Sequence, residues 1–285
     1  MSQATTEHVP SATQTAQAAQ AAQAAQTAAK AAWKARIAPP FFFVLGLAVL
    51  AKMAADVGFS PMRLITGTGR LGRLLGAMVP PSDGGQFVHI LQSLGETLAM
   101  AFVGTVLAAL AALPLGVLGA KTVVPQPLLH FGFRRVLDLF RGVPALVWAL
   151  ILVSAFGLGP FAGVCALALA DIPHLAKLFA EAIENADSKP ADGVRSTGAS
   201  PLGVIRFGLL PQVAPVLASQ CLYYLESNFR HAAVLGIVGA GGIGFELEER
   251  IRVFAFNVAA FIIILYMLAV AVLDTVSRAL RKRLA

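Results

Sequence analysis

Long apolar stretches, separated by short polar connections, constrain the fold of this chain more than any other feature of its sequence. The chain is 57% hydrophobic and 13% charged, whereas soluble domains carry roughly 25% charged residues. A helix of about 20 apolar residues crosses the hydrocarbon core of a membrane and satisfies its own backbone hydrogen bonds there. The sequence therefore predicts an all-α membrane protein.

The apolar stretches predict six transmembrane helices. The first is interrupted near its far end by Lys52 and Asp56, which are four residues apart and can pair or reach the interface. The stretch 122–142 predicts an interfacial helix that leads into the third span. The six predicted spans are 37–59, 94–120, 144–160, 161–179, 212–225 and 253–274.

The distribution of basic residues predicts the orientation of these spans. Cytoplasmic loops are enriched in Lys and Arg, and basic clusters lie at 30–36, before the first span, and at 278–283, after the last. Both termini are therefore predicted to be cytoplasmic, which agrees with an even number of crossings. The formal net charge of +7 is attributed to cytoplasmic loops rather than to a surface that binds nucleic acid.

The regions on either side of the first span differ in composition. Residues 1–36 are rich in Ala and Gln and lack the apolar segment of a cleaved signal peptide, so we expect a disordered cytoplasmic tail. Residues 60–92 are predicted to form an external loop. This loop carries Arg63, Arg70 and Arg73, against the tendency of basic residues to lie in the cytoplasm.

A polar segment at 187–215 interrupts the apolar pattern between the fourth and fifth spans. Pro190 is suited to the first turn of a short helix, which Ser188 or Lys189 would cap. Gly198 is suited to the left-handed conformation that ends a helix. The segment is therefore predicted to fold as two short cytoplasmic helices joined by a tight corner.

The second of these short helices is predicted to begin at Ser200 and Pro201. Three apolar side chains, Leu202, Ile205 and Leu209, fall on one face of it at helical spacing. A DNA-reading helix would instead present several polar side chains to base edges. The pair of helices is therefore not interpreted as a DNA-binding motif, and no nucleic-acid partner is expected.

A glycine-rich stretch at 239–244 matches the pattern G-x-G-x-x-G, which in dinucleotide-binding folds lies between a strand and a helix. Here it lies between apolar segments, so we expect its glycines to allow sharp turns and close helix packing instead. The phosphate-binding pattern G-x-x-x-x-G-K-[ST] does not occur in the sequence. No cofactor is expected in this chain.

Ionisable residues inside the spans are candidates for a translocation path, because placing one in a membrane costs about 2.5–3.5 kcal/mol. Asp171 and His174, in the fourth span, either face such a path or form a packed interhelical hydrogen bond. Glu226, Arg230 and His231 are predicted at the outer end of the fifth span. Glu226 and Arg230 are four residues apart and can form a structural salt bridge there.

The positions of the Cys and His residues argue against a disulfide or metal site and against a membrane-embedded enzyme. Cys165 and Cys221 both lie in apolar stretches, where small buried side chains are expected rather than a disulfide or a metal site. A membrane-embedded enzyme would need clustered His or carboxylate side chains at one depth in the membrane. The five His residues are scattered along the chain, so the protein is not predicted to be an enzyme.

The polar segment resembles a known motif. Permease subunits of type I ABC importers share a cytoplasmic sequence that reads Glu-Ala-Ala, three residues, Gly, nine residues, Ile, one residue, Leu-Pro. When the two are aligned on Gly198 and Pro211, Leu210 matches as well. The chain departs from the motif at four positions, which are Asp192, Gly193, Val194 and Gly208.

Residues 90–280 as a whole resemble these permeases, and within the superfamily they are most similar to the phosphonate permeases. The stretch 234–247 is long enough to make this resemblance fairly specific. The stretches that carry the resemblance are 178–184, 197–200, 210–212 and 234–247.

The resemblance implies the type I ABC importer permease fold, with six transmembrane helices and a cytoplasmic coupling-helix loop at 188–211 inside a transmembrane domain at 93–280. It implies a multi-pass homodimer in the lipid of the bacterial inner membrane. Its partners would be a separate ATP-binding subunit and an extracytoplasmic solute-binding protein. The residues implied to couple to the ATPase are Asp192, Gly193, Val194, Arg195, Gly198, Ala199, Ser200, Leu210 and Pro211.

The implied function is the import of phosphonates or related phosphorus oxyanions, with ATP bound and hydrolysed by the partner subunit. Closure of the ATPase subunits would move the coupling helices and switch the cavity between inward-facing and outward-facing states. Two alternatives stay open. One is an importer permease for another small solute, and the other is a secondary transporter, which should show paired repeats with discontinuous spans.

Overall fold

The computed structural model describes residues 43–123 and 126–284, and every regular element within them is helical. The boundary between two compact units falls between residues 72 and 73, inside the second helix. In chain order the helices are α1 (43–56), α2 (Pro61–Ala77), α3 (Phe87–Gly119), α4 (Pro127–Arg141), α5 (Ala145–Phe156), α6 (Pro160–Glu184), α7 (Ser188–Ser196), α8 (Pro201–Gly203), α9 (Leu210–Leu235), α10 (Gly242–Arg252) and α11 (Phe256–Leu284), with π-helical turns at Val204–Leu209 and Gly236–Ala240.

Four stretches of the described residues are long and apolar enough to cross a membrane. These are α3, α6, the continuous helix Pro201–Ala240 and α11. They correspond to the predicted second, fourth, fifth and sixth spans, and each is longer than the sequence indicated. A fifth span results if α4 and α5, which meet at an angle of 75°, act as one broken helix.

The third span, predicted at 144–160, is not a complete span by itself. α5 has 12 residues, or about 18 Å at 1.5 Å per residue, which is shorter than the roughly 30 Å of a hydrocarbon core. Pro144 precedes α5, and a proline disfavours helical geometry in the residue before it. A helix is present as α4 within the stretch 122–142, where an interfacial helix is predicted, and the break at Pro144 separates it from α5. Its place at the membrane interface stays a prediction.

The predicted first span, 37–59, lies partly outside the described residues, and the tail predicted at 1–36 lies wholly outside them. The helix α1 accounts for the later part of that span. The external loop predicted at 60–92 contains α2, a regular helix of 17 residues. The total of six spans therefore stays a prediction.

The contact between α3 and α6 forms the centre of the second unit. A Cβ atom on Gly116 would lie 2.7 Å from the Cβ of Phe179, and one on Gly104 would lie 3.0 Å from the Cβ of Leu167. Lipid does not drive helices together by the hydrophobic effect, so close packing across small residues has to hold them. The face of α3 that meets α6 therefore has no room for larger side chains at these glycines.

The last helix runs antiparallel to α9. The Ser277 hydroxyl donates to the Leu222 carbonyl at 3.3 Å, and the Tyr266 hydroxyl donates to the Phe229 carbonyl at 3.4 Å. Residue numbers therefore rise along α11 as they fall along α9. The chain leaves α9 and returns through α10. The two contacts show that the two long helices then lie side by side over several turns.

Replacing Gly116 by Ala should destabilise the packed helices, because its Cβ would sit 2.7 Å from the Cβ of Phe179. Overpacking of this kind costs typically about 1–3 kcal/mol. Gly95→Ala, in the same helix, is the matched control because its Cβ would meet nothing within 4 Å. Thermal aggregation of the purified protein, followed by size-exclusion chromatography, should begin at a lower temperature for Gly116→Ala than for either the control or the unchanged chain. Equal transition temperatures for both variants would contradict the packing described.

Candidate functional site

The polar segment between α6 and α9 begins with a capped helix, as predicted, but with a different cap. The Asp187 carboxylate accepts a hydrogen bond from the Lys189 backbone N–H at 3.0 Å. The predicted caps, Ser188 and Lys189, are wrong, since both already lie within α7. Asp187 has the extended backbone of an N-cap residue, which aims its side-chain oxygen at the free N–H groups of the first turn.

The corner after α7 has the predicted geometry. Gly198 adopts φ of +79°, and its N–H donates to the Arg195 carbonyl at 3.1 Å. This left-handed conformation is strained for most residues with a side chain. The Ser200 side chain then accepts from the Gly203 N–H at 3.3 Å, so the next helix begins where the sequence indicated.

The second helix is not a short separate element. The chain passes from α8 through the π-helical turn Val204–Leu209 directly into α9, and the whole of Pro201–Ala240 counts as one helical stretch. Only α7 is therefore a separate short helix. The part of the segment that follows the corner is the first part of the long helix Pro201–Ala240.

The three apolar side chains that helical spacing places on one face of this part differ in exposure. Leu202 is 78% exposed, whereas Val204 and Leu209 are buried. A π-helical turn bonds each residue to one five positions away, rather than four. The wider turn shifts the side chains that follow it, so Leu202 and Leu209, which regular α-helical spacing places on one face, differ in exposure.

Two contacts join α7 to the start of α9. A Cβ atom on Gly208 would lie 2.7 Å from the Cα of Ala191, so only glycine lets the two backbones approach this closely. The Gln212 side-chain amide donates to the Gly208 carbonyl and, at 3.2 Å, to the Asp187 carbonyl. The permease motif has Ile where this chain has Gly208, and this departure is explained by the close approach of α7.

The outer surface of the segment is polar on α7 and apolar beyond it. Asp192 and Arg195 form a pair at 2.9 Å, but both are exposed, and such pairs contribute at most about 1 kcal/mol. Leu202 and Phe207 are 78% and 64% exposed, and the Arg206 guanidinium lies 5.3 Å from the Phe207 ring centre. Of the remaining predicted coupling residues, Gly193 and Pro211 are exposed and three are half-buried, namely Val194, Ala199 and Leu210.

A buried polar cluster links three helices inside the membrane region. The Asn228 amide of α9 donates to the Asp171 carboxylate of α6 at 2.5 Å and to the Thr105 hydroxyl of α3 at 2.9 Å. Asn228 is 1% exposed and Asp171 is 8% exposed. This geometry is that of the interhelical hydrogen bond which the sequence left as one alternative for Asp171. Sequence reasoning missed Asn228, because a single Asn in an apolar helix has no distinctive spacing.

His174 does not join this cluster. Its Nδ1 lies 2.9 Å from the Ala170 carbonyl of its own helix, and its ring lies 6.4 Å from that of Tyr224. The two ionisable residues predicted together in the fourth span therefore have different surroundings.

The predicted pair between Glu226 and Arg230 is confirmed at 3.2 Å, and it belongs to a larger network. Arg230 also reaches Asp274 of α11 at 3.3 Å, and Glu226 also accepts from Arg281 of α11 at 3.1 Å. Two cations thus meet two carboxylates. Sequence reasoning missed Asp274 and Arg281, because their pairing depends on how α11 packs against α9.

The predicted location of this pair at the outer end of the span is wrong. α9 continues past it to Leu235, and its partners lie in the second half of α11, near the basic tail. Glu226 and Arg230 therefore lie within the long helix rather than at its end. His231 is exposed and does not take part in the network. Within 43–123 and 126–284, no group of His, Cys, Asp or Glu side chains is arranged to hold a metal ion.

The glycine-rich stretch makes the sharp turn expected of it. Gly239 and Gly241 adopt φ of +97° and +79°, which ends the long helix and starts α10 in a new direction. A Cβ atom on Gly236 would lie 2.6 Å from the Gly241 carbonyl. The turn therefore folds back closely on the helix that precedes it.

Sequence comparisons agree with this architecture. The family model described as the binding-protein-dependent transport system inner membrane component matches residues 112–285. The chain is 39% identical to the phosphite transport system permease protein PtxC of Stutzerimonas stutzeri, over 77% of this chain and 79% of that protein. It is 37% identical to the phosphate-import permease protein PhnE of Mycolicibacterium smegmatis, over 85% of this chain but 46% of that longer protein.

Structural comparison gives the same fold. A chain of the MetNI methionine ABC transporter in an inward-facing conformation superimposes with a TM-score of 0.62 at 23% identity. The match covers 72% of this chain and 99% of the other.

Replacing Gly208 by Ala should loosen α7 from the start of α9, because the new Cβ would meet the Ala191 backbone at 2.7 Å. Gly193→Ala, inside α7, is the matched control since its Cβ would meet nothing within 4 Å. Local opening that becomes about 1 kcal/mol easier exposes the segment roughly fivefold more often. We expect trypsin to cut after Arg195 about fivefold faster in Gly208→Ala and no faster in the control. An unchanged rate in Gly208→Ala would contradict the contact.

Proposed function

Since this chain belongs to the family of binding-protein-dependent transport system inner membrane components, we propose that it forms the membrane pathway for phosphonates or related phosphorus oxyanions. The protein is the permease subunit of an ABC importer, a multi-pass inner membrane protein rather than an enzyme. Such permeases work with an ATP-binding subunit and a solute-binding protein. ATP is accordingly bound and hydrolysed by the partner subunit.

The proposed solute class rests on one observation, which is the similarity to permeases named for phosphorus oxyanions. The phosphite permease is 39% identical over 77% of this chain, and the phosphate-import permease is 37% identical over 85% of it. The methionine transporter chain shares only 23% identity and supports the fold alone. The solute class is therefore argued from the first two relatives.

We propose that the ATP-binding subunit contacts α7 and the exposed apolar side chains beside it. Leu202 and Phe207 are large exposed apolar side chains in the first two turns of the long helix Pro201–Ala240, and their burial by a partner would contribute roughly 1.5–3 kcal/mol each. Arg206, next to Phe207, suits an acidic rim on the partner. The contacts of Gly208 and Gln212 would then transmit a displacement of α7 to the long helix Pro201–Ala240.

The residues predicted to line the translocation path differ in whether they already form hydrogen bonds or ion pairs with other residues of the chain. Asp171 is bound by Asn228, and Glu226 and Arg230 neutralise each other. His231 is exposed and takes no part in the described side-chain hydrogen bonds and ion pairs, while His174 contacts a carbonyl of its own helix. An imidazole N–H donates readily to an oxyanion. We therefore propose that His231, and after it His174, faces the anionic solute, whereas the other three hold helices together.

The assembly we propose is a homodimer in lipid, with both termini in the cytoplasm. The basic tail at 278–283 favours that side for the end of α11, and α7 would then lie on the same side because α9 runs antiparallel to α11 and begins at the end where α11 finishes.

Replacing Gly198 by Val should uncouple ATP hydrolysis from transport without preventing membrane insertion. Its φ of +79° is strained for a β-branched residue, so the corner that orients α7 would change. Ser196→Ala is the control, because the Ser196 hydroxyl bonds only the Gly193 carbonyl of its own helix. In vesicles, stimulation of ATPase activity by loaded binding protein should fall at least tenfold for Gly198→Val and stay normal for the control. Normal stimulation in both would remove this corner from the coupling surface.

Transport measurements test the solute class directly. The permease, its ATP-binding subunit and its binding protein should be reconstituted together in vesicles, and uptake of phosphite and methylphosphonate compared with that of methionine. We expect ATP-dependent uptake of at least one phosphorus oxyanion and only background uptake of methionine. Transport of methionine, with neither oxyanion transported, would show that the solute class is wrong while the permease function stands.

A further inference from the structure

The helix α2 carries three arginines that the transport mechanism does not use. Arg63 and Arg70 are seven residues apart and Arg73 follows three later. At about 100° per residue, the three positions fall within a sector of roughly 80°. The helix contains no Asp or Glu, so this sector is a purely cationic stripe.

The opposite side of α2 is apolar. Leu64, Ile65, Leu71 and Leu75 fall within a sector of about 120°, centred roughly opposite the arginines. These four side chains are 54–67% exposed. The helix is thus strongly amphipathic, with a basic face and an apolar face of the kind that lies in a membrane surface.

The side chains of α2 are exposed throughout residues 62–77. Cβ atoms added at Gly67, Gly69, Gly72 or Gly76 would each meet no heavy atom within 4 Å. The arginines form no ion pair within the described part of the chain, although Arg63 donates to the Gly58 carbonyl at 3.2 Å. Both faces of the helix are therefore available to surroundings outside the chain.

The start of α2 lies where a membrane surface is expected. α1 exposes large apolar side chains around it, including Leu50 and Met53, as a helix in lipid does. It ends at a turn in which Gly58 has φ of +72°, and α2 begins only three residues later. A helix that starts this close to the end of an apolar segment begins at the interface between hydrocarbon and water.

We propose that α2 lies in the membrane surface, with its apolar face in the acyl-chain boundary and its arginines on the phosphates of anionic lipid headgroups. The geometry explains why basic residues lie in a segment predicted to be external. The positive-inside tendency concerns loops that stay in water, whereas these arginines bind headgroups of whichever leaflet α2 occupies. The inference does not depend on the transported solute.

The first experiment measures the depth of each face in the full chain, reconstituted in nanodiscs that contain phosphatidylglycerol. A bimane label is attached to Leu64→Cys, Leu75→Cys or Thr66→Cys, in a background with Cys165→Ala and Cys221→Ala. Thr66 falls in the cationic sector and serves as the matched position. We expect brominated acyl chains to quench the labels at 64 and 75 at least threefold more than the label at 66, and iodide to show the reverse order.

Two outcomes of this measurement would overturn the proposal. If iodide quenches all three labels equally, α2 lies in water. If the labels at 64 and 75 are quenched by neither agent, a protein surface covers the apolar face instead of lipid.

The second experiment tests the anionic headgroup. In phosphatidylcholine nanodiscs, the Leu75→Cys label, on the face expected to contact acyl chains, is quenched by a small fraction of brominated phosphatidylglycerol or by the same fraction of brominated phosphatidylcholine. Each arginine at the membrane surface enriches anionic lipid around the helix by up to about fivefold. We therefore expect brominated phosphatidylglycerol to quench the label more than brominated phosphatidylcholine. The preference should be lost in Arg70→Gln with Arg73→Gln and kept in Arg70→Lys with Arg73→Lys. Arg63 is left unchanged because it donates to the Gly58 carbonyl in the turn between α1 and α2. Equal quenching by the two lipids in the unchanged chain would overturn the headgroup contact.

Discussion

Close approach of backbones at glycine and alanine holds this structure together. In lipid, helices gain little from the hydrophobic effect and depend on packing distance and on buried polar bonds. The α3–α6 contact at Gly116, the α7–α9 contact at Gly208 and the fold-back at Gly236 share this device, since in each a Cβ atom would lie 2.6–2.7 Å from a neighbouring atom. The first contact builds the bundle and the second connects α7 to it. Both would be needed if the ATP-binding subunit acts on α7 as proposed.

The sequence predicted those parts of the fold that are encoded locally. The spans could be read from apolar length, and the corner at Gly198 from the conformations that glycine allows and most other residues avoid. The cap of α7 was missed by one residue, since Asp187, Ser188 and Lys189 are all polar and only the backbone geometry distinguishes them. The boundary at Pro144 was predicted, but the short length of α5 was missed, because the apolar stretch 144–160 continues past the residue at which that helix ends.

The site was harder to predict, because most of its contacts join residues that are distant in the chain. Glu226 and Arg230 could be paired from their spacing, but Asp274 and Arg281 could not. Asn228 looked like an isolated polar residue until its partners on α3 and α6 were known. The π-helical turn at 204–209, in which Gly208 packs against Ala191, was also missed, because the sequence analysis assumed regular α-helical spacing there.

One short part of α9 connects the long helix to the rest of the bundle on two sides. Asn228 bonds Thr105 and Asp171, on α3 and α6, while Glu226 and Arg230 pair with Arg281 and Asp274 of α11. Residues 226 and 230 lie on one side of a helix and residue 228 on the other. Because all these bonds lie between residues 226 and 230, α9 is fixed to its three neighbours α3, α6 and α11 at a single level along its length. A displacement entering at α7, as proposed for the ATP-binding subunit, would therefore rotate or tilt the long helix about this level, and the bonds on its two sides would set how far the neighbouring helices follow.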